Sequence, residues 1–94
     1  MNMEIDFEKK PVKSKRLKII SNIGSYFATF DGSRVWEIDP AVNYVLTLCD
    51  GNRRIEDIAQ EIARVIEANV DDVKATLANM LVELEKNGFI EYSS

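Results

Sequence analysis

The strongest constraint on the fold is a change of hydrophobic period at Ile38-Asp39-Pro40. Upstream of it, from Leu17, apolar residues sit at β-like spacing in short stretches broken by turn residues. Downstream they recur at about 3.6 residues, the spacing of one helical face. Leu17, Ile19 and Ile20 lead to a break at Asn22-Ile23-Gly24, and Ser25–Phe30 is rich in aromatic and β-compatible residues. After the change, three apolar stripes follow one another. The first is Val42, Val45, Leu46 and Cys49. The second is Ile55, Ile58, Ala59, Ile62, Ala63 and Ile66, and the third Val73, Leu77, Met80, Leu81 and Leu84. Strands first and helices second describe an α+β chain.

Local signals supply the boundaries. Asp31-Gly32 is a hairpin dipeptide, and a two-residue loop there pairs Phe30 with Ser33, Ala28 with Val35 and Phe27 with Trp36. That register puts Phe27, Thr29, Trp36 and Ile38 on one face and Tyr26, Ala28, Phe30 and Val35 on the other. Asp39 caps the first helix with Pro40 in its first position, and Asp50-Gly51 ends it. The third helix starts near Asp71, with Val70 as a hydrophobic staple, and stops at Asn87-Gly88. Phe89-Ile90-Glu91-Tyr92 reads as a short closing strand. The expectation is three N-terminal antiparallel strands, three helices and a C-terminal strand, a winged helix-turn-helix-like order.

Composition narrows the chemistry. Among 94 residues there is no His and one Cys, Cys49. An internal disulfide is impossible, Cys/His zinc sites lack ligands, and Ser-His or Cys-His nucleophile systems lack their base. No catalytic residue, cofactor or metal is expected. The carboxylate pairs Glu56-Asp57 and Asp71-Asp72 stand in helix first turns, where the dipole accounts for them. Glu83, Glu85 and Glu91 lack calcium-loop spacing, and the four glycines are isolated. With no long apolar run, no export pattern at the N-terminus and a single thiol, the expected home is the cytoplasm, with no membrane partner.

Charge is uneven. Residues 1–18 hold six basic groups against three acidic ones, whereas the remainder hold six against thirteen. Residues 1–14 are therefore expected as a basic, flexible arm and residues 15–94 as the domain. The helix order raises a second reading, a winged-helix nucleic-acid binder. The third helix opposes it, since Asp71, Asp72, Glu83 and Glu85 outnumber Lys74 and Lys86 and would repel phosphates.

A surface for a peptide remains. Arg34–Ile38 reads as a sheet edge, and Ala78, Leu81 and Val82 widen the apolar arc of the third helix. An extended peptide could add to that edge as a further strand. The alternative is a broad core stripe beside an edge protected by Arg34 and Glu37.

The residues also carry a family resemblance. Val35-Trp36-Glu37-Ile38-Asp39-Pro40-Ala41, followed by Val45-Leu46-Thr47-Leu48-Cys49-Asp50-Gly51-Asn52-Arg53, resembles the strand and Leu-Cys-Asp-Gly run of the PqqD-like proteins. These are the coenzyme PQQ synthesis protein D family, prototype of the RiPP recognition element. Ile55-x-x-Ile58-Ala59, Asp72-Val73, Leu81-x-x-Leu84 and Gly88-Phe89-Ile90 extend the likeness across Lys15–Tyr92. Two departures stand out: Ile38-Asp39 where Leu-Asn is common, and Arg54 where a Thr or Ser usually caps the second helix, leaving Asn52 as the expected cap.

The resemblance implies a non-catalytic chaperone for a ribosomally made precursor peptide. Its leader would bind as an antiparallel strand against the third strand, in a cleft walled by the third helix. A modifying enzyme, often a radical SAM protein, would act on it in trans. Carried onto this chain, the strand side is Arg34, Val35, Trp36, Glu37 and Ile38. The helical wheel puts the opposite wall among Lys74, Leu77, Ala78, Leu81 and Glu85. The open edge also permits a homodimer.

Overall fold

A computed structural model describes residues 5–93. The elements are β1 (Lys10–Lys13), β2 (Lys18–Asn22), β3 (Ser25–Thr29), β4 (Val35–Ile38), α1 (Pro40–Leu48), α2 (Ile55–Ile66), α3 (Val70–Lys86) and β5 (Ile90–Ser93). The α+β class and the order of strands, helices and closing strand are as expected, with one strand more. β2, β3 and β4 form an antiparallel sheet in that order, and β1 pairs with β5 in a second one.

The additional strand comes from the segment expected as a flexible arm; residues 1–4 of that arm lie outside the described residues. Pro11 is buried, Ile5 and Phe7 pack on the core, and Lys10–Lys13 runs antiparallel to Ile90–Ser93. The other side of β1 meets the Leu-Cys-Asp-Gly run: Lys13 N–H donates to the Cys49 carbonyl, and Gly51 N–H donates to the Pro11 carbonyl, each at 2.9 Å. Gly51 has φ +80°, and a Cβ there would stand 3.4 Å from Val12. Both conformation and space favour glycine at that position.

The same segment completes α2. Ile55 and Glu56 N–H donate to the carbonyls of Lys9 and Phe7, so two of the helix's unpaired first-turn groups find main-chain partners. Asp57 reaches back to the Arg54 N–H at 3.0 Å and pairs with its guanidinium at 2.7 Å, while Glu8 binds the same guanidinium. Asn52 supplies no cap; its N–H donates to Asp50. The cap missing from the side chain of residue 54 is thus replaced by neighbouring chain. α1 and α3 follow the ordinary rule: Asp39 accepts from Ala41 N–H, and Asn69 accepts from Asp71 N–H. Val70 is therefore the first residue of α3 instead of a staple before it.

The turns differ from expectation in a way that changes both sheet faces. Ile23-Gly24 is the two-residue loop, with φ +44° and +80°, as a type I′ turn requires. Between β3 and β4 the connection is longer, and Ala28 pairs with Trp36, Thr29 with Val35. The Asp31 carboxylate turns inward to accept from Ser33 and Arg34 N–H, and the buried Thr29 hydroxyl accepts from Gly32 N–H and donates to the Arg34 carbonyl. These side-chain bonds open the loop, slipping the expected register by one residue. Tyr26, Ala28, Trp36 and Ile38 now share the core face, and Phe27, Thr29, Val35 and Glu37 the outer one.

The core joins all three helices to the sheet. Leu17, Ala28, Ile38, Val45, Leu46, Ile55, Ile58, Leu77, Leu81 and Phe89 belong to one buried cluster. Leu81 and Ile58 are fully enclosed.

Two outcomes follow from this architecture. Ile23 is β-branched, 98% exposed and left-handed, a conformation that costs roughly 1–2 kcal/mol in an L-residue and least in Asn or Gly. Ile23→Asn should raise stability by about 1 kcal/mol, moving the thermal midpoint up by roughly 4–8 °C; an unmoved midpoint would mean the tip is not held in that turn. The Arg54 guanidinium and N–H hold Asp57 at about 2, well below its usual 3.8. A carboxylate lowered in the folded state stabilises above its unfolded value, and that contribution is lost as pH falls from about 4 through 2. Asp57→Asn should flatten the fall in urea stability across that window, and an unaltered acid slope would refute the assignment.

Candidate functional site

β4 ends the β2-β3-β4 sheet, and parity determines which of its groups face outward. The two-residue turn makes Asn22–Ser25 a hydrogen-bonded pair, and such pairs alternate along an antiparallel ladder. Ser25, Phe27 and Thr29 therefore direct their N–H and C=O groups to β2. Tyr26 and Ala28 direct theirs to β4, where they meet Ile38 and Trp36. That leaves the main-chain groups of Val35 and Glu37 pointing to the open edge. Four residues of strand, two of them with outward groups that pair with no described residue, form a short template for another chain.

The side chains along this edge divide by face. Trp36 lies on the core face but remains 39% exposed. It meets Phe30 and Phe89 edge-on, with ring centroids 6.1 and 5.8 Å away, and Phe30 meets Phe89 at 5.7 Å. Phe89 follows α3 after Asn87 and Gly88, and its N–H donates to the Leu84 carbonyl, so the cluster ties the C-terminal end of α3 to β4. On the outer face Val35 is 48% exposed and lies across from Thr29, while Glu37 lies across from Phe27.

Beyond the end of β4, an apolar groove of about 370 Å³ opens among the helices. Tyr44 and Val45 of α1, Ile62 and Ile66 of α2, and Thr76 and Met80 of α3 line it, and Asp72 stands at it. Ala41, in the first turn of α1, also borders it, three residues after Ile38 closes the strand.

The residues singled out from sequence fall into two groups. Val35, Trp36, Glu37 and Ile38 form the edge strand, with Ile38 buried; Arg34 stands just before it, in the loop. The expected helix wall is not the wall of this groove. Leu77 and Leu81 are core residues, and Leu77 alone of the five borders the groove. Lys74 is engaged elsewhere, 2.6 Å from Glu56 and over the Phe7 ring at 5.2 Å. Ala78 is half-buried and Glu85 exposed, and neither lines the groove. The groove uses Val73, Thr76 and Met80, the other flank of the helix, because Phe7 and Glu56 occupy the Lys74 side. Met80 was already read as part of the core stripe, whereas nothing in the sequence singled out Thr76, and the N-terminal segment that selects between flanks had no periodic signal.

The reactive groups have structural occupations. Burial, with the charge of Asp50 beside it, pushes the Cys49 thiol up to about 12, so it is protonated and packed. Glu56 is held below the usual carboxylate range by Lys74 and Gln60. Among the described residues, no cluster of three or more His, Cys, Asp or Glu could hold a metal ion, and no helix is long and apolar enough to cross a membrane.

No curated protein and no solved structure matches this sequence. One family profile does, over residues 24–90, from the turn before β3 through the first residue of β5. That span contains the edge strand, the aromatic cluster, the Leu-Cys-Asp-Gly run and all three helices. The chain belongs to the coenzyme PQQ synthesis protein D (PqqD) family.

Proposed function

We propose that this protein binds the leader of a ribosomally made precursor peptide as an added strand on β4 and presents it to a modifying enzyme. Membership of the family supports a role in coenzyme PQQ synthesis. The observation that carries the reading is the open edge, with the main-chain groups of Val35 and Glu37 directed away from β3. Main-chain bonds there would supply affinity, and the exposed face of Trp36 and the groove past Ala41 would take side chains. The chemistry on the peptide is assigned to the partner, a radical SAM or other peptide-modifying enzyme. This chain supplies recognition.

Electrostatics favour a peptide over nucleic acid. The first turn of α3 exposes Asp71 and Asp72, and Lys74 is already neutralised by Glu56. A phosphate backbone would meet repulsion where a reading helix needs attraction.

The test is to immobilise the protein, pass its own organism's lysate over it, and identify bound peptides and enzymes by mass spectrometry. A short precursor peptide together with a modifying enzyme is the expected recovery; nucleic acid in their place would overturn the reading. Glu37→Pro removes an outward N–H without touching a β3–β4 bond. It should abolish capture of the precursor while far-ultraviolet circular dichroism stays unchanged, and undiminished capture would place the site elsewhere. A groove bordered by Asp72 should also hold its peptide less tightly as salt rises from about 0.05 to 0.5 M. A flat response would indicate purely apolar anchoring.

A further inference from the structure

We infer that the strand taken up by β4 carries a basic residue followed directly by an aromatic one. The inference rests on strand addition at β4 and goes further, to the sequence of the peptide. In an antiparallel strand, the residue facing Glu37 immediately precedes the residue facing Trp36. The two positions differ in chemistry because they lie on opposite faces.

At Trp36 the edge is a non-hydrogen-bonded position, since Val35 and Glu37 hold the outward groups. Non-hydrogen-bonded pairs bring side chains closest, with Cα atoms about 4.5 Å apart. The incoming side chain therefore lies against the exposed part of an indole that already meets Phe30 and the buried Phe89. These three rings already meet edge-on, so a fourth ring or a bulky aliphatic group extends the same packing. A small polar side chain would leave the indole in water.

The preceding residue faces Glu37 on the outer surface. Glu37 is exposed and enters none of the ion pairs among the described residues. Opposite charges directly across a ladder attract and like charges repel, so Lys or Arg is selected and Asp or Glu rejected. One residue beyond the aromatic, the strand faces the exposed Val35, where a β-branched side chain packs. The order basic, aromatic, β-branched is specific to the antiparallel direction. Reversing the first two keeps the aromatic on Trp36 but moves the cation from Glu37 to Val35.

The probes are capped octapeptides with Thr-Val-Thr on each side of a central pair: Lys-Phe, Phe-Lys, Glu-Phe and Lys-Ser. Trp36 is the chain's single tryptophan, so its emission reports the site directly. The Lys-Phe peptide should shift that emission to shorter wavelength on titration. Glu-Phe and Phe-Lys should bind more weakly, by up to about fivefold. Lys-Ser should give no blue shift. Glu37→Lys should invert the order of Lys-Phe and Glu-Phe. An unchanged order in that variant, or equal binding of Lys-Ser and Lys-Phe, overturns the inference. If no octapeptide binds but the native precursor is captured and lost in Glu37→Pro, the sequence rule fails and strand addition stands. If the precursor is also insensitive to Glu37→Pro, both fail.

Discussion

The positive φ angles of Ile23 and Gly24 set the hydrogen-bond parity of the whole three-stranded sheet. A two-residue loop makes its flanking residues a bonded pair, and each residue of an antiparallel strand directs both main-chain groups to the same side. From that turn onward, β3 has no freedom in which residues serve β2 and which serve β4. Val35 and Glu37 direct their main-chain groups to the open edge as a consequence, and Trp36 directs its own to β3. The outward-facing groups of β4 are thus defined by a hairpin on the far side of the sheet, at a residue type poorly suited to its conformation.

The second dependency is on the N-terminal segment. Its strand sits between β5 and the Cys49–Gly51 main chain, and its carbonyls complete the first turn of α2. Arg54 sits where a hydroxyl cap is usual, and the structure compensates through Asp57, Glu8 and two neighbouring carbonyls. The same segment decides which flank of α3 is free. With Phe7 beneath the Lys74 ammonium and Glu56 paired to it, the helix presents Thr76 and Met80 to the groove instead. A contact outside the span matched by the family profile therefore shapes the cleft inside it.

The potentially reactive groups of this chain have structural occupations. Its one thiol is packed against the core and held protonated, and its first-turn carboxylates serve helix ends or ion pairs. What faces solvent around β4 is a short row of main-chain groups, the exposed part of the Trp36 ring, and the Glu37 carboxylate, which joins no ion pair among the described residues.

The helices, their caps at Asp39 and their shared core were legible because helical periodicity and capping are local properties, decided within a turn or two. The edge position of β4 was legible as well, since only one neighbouring stretch could partner it. The hairpin register was not. Asp31-Gly32 has the composition of a tight turn, but the Asp31 and Thr29 side chains compete for the loop's main-chain groups and lengthen it. β1 was illegible for a different reason: four residues with a proline and two lysines have no periodicity, and they become a strand only because β5 and the Asp50–Gly51 main chain stand on either side. The sequence by itself determined the α+β order, the helix faces and the strand that would lie at the edge. Tertiary structure alone decided which side chains share the cleft, because register and helix flank depend on contacts between segments far apart in the chain.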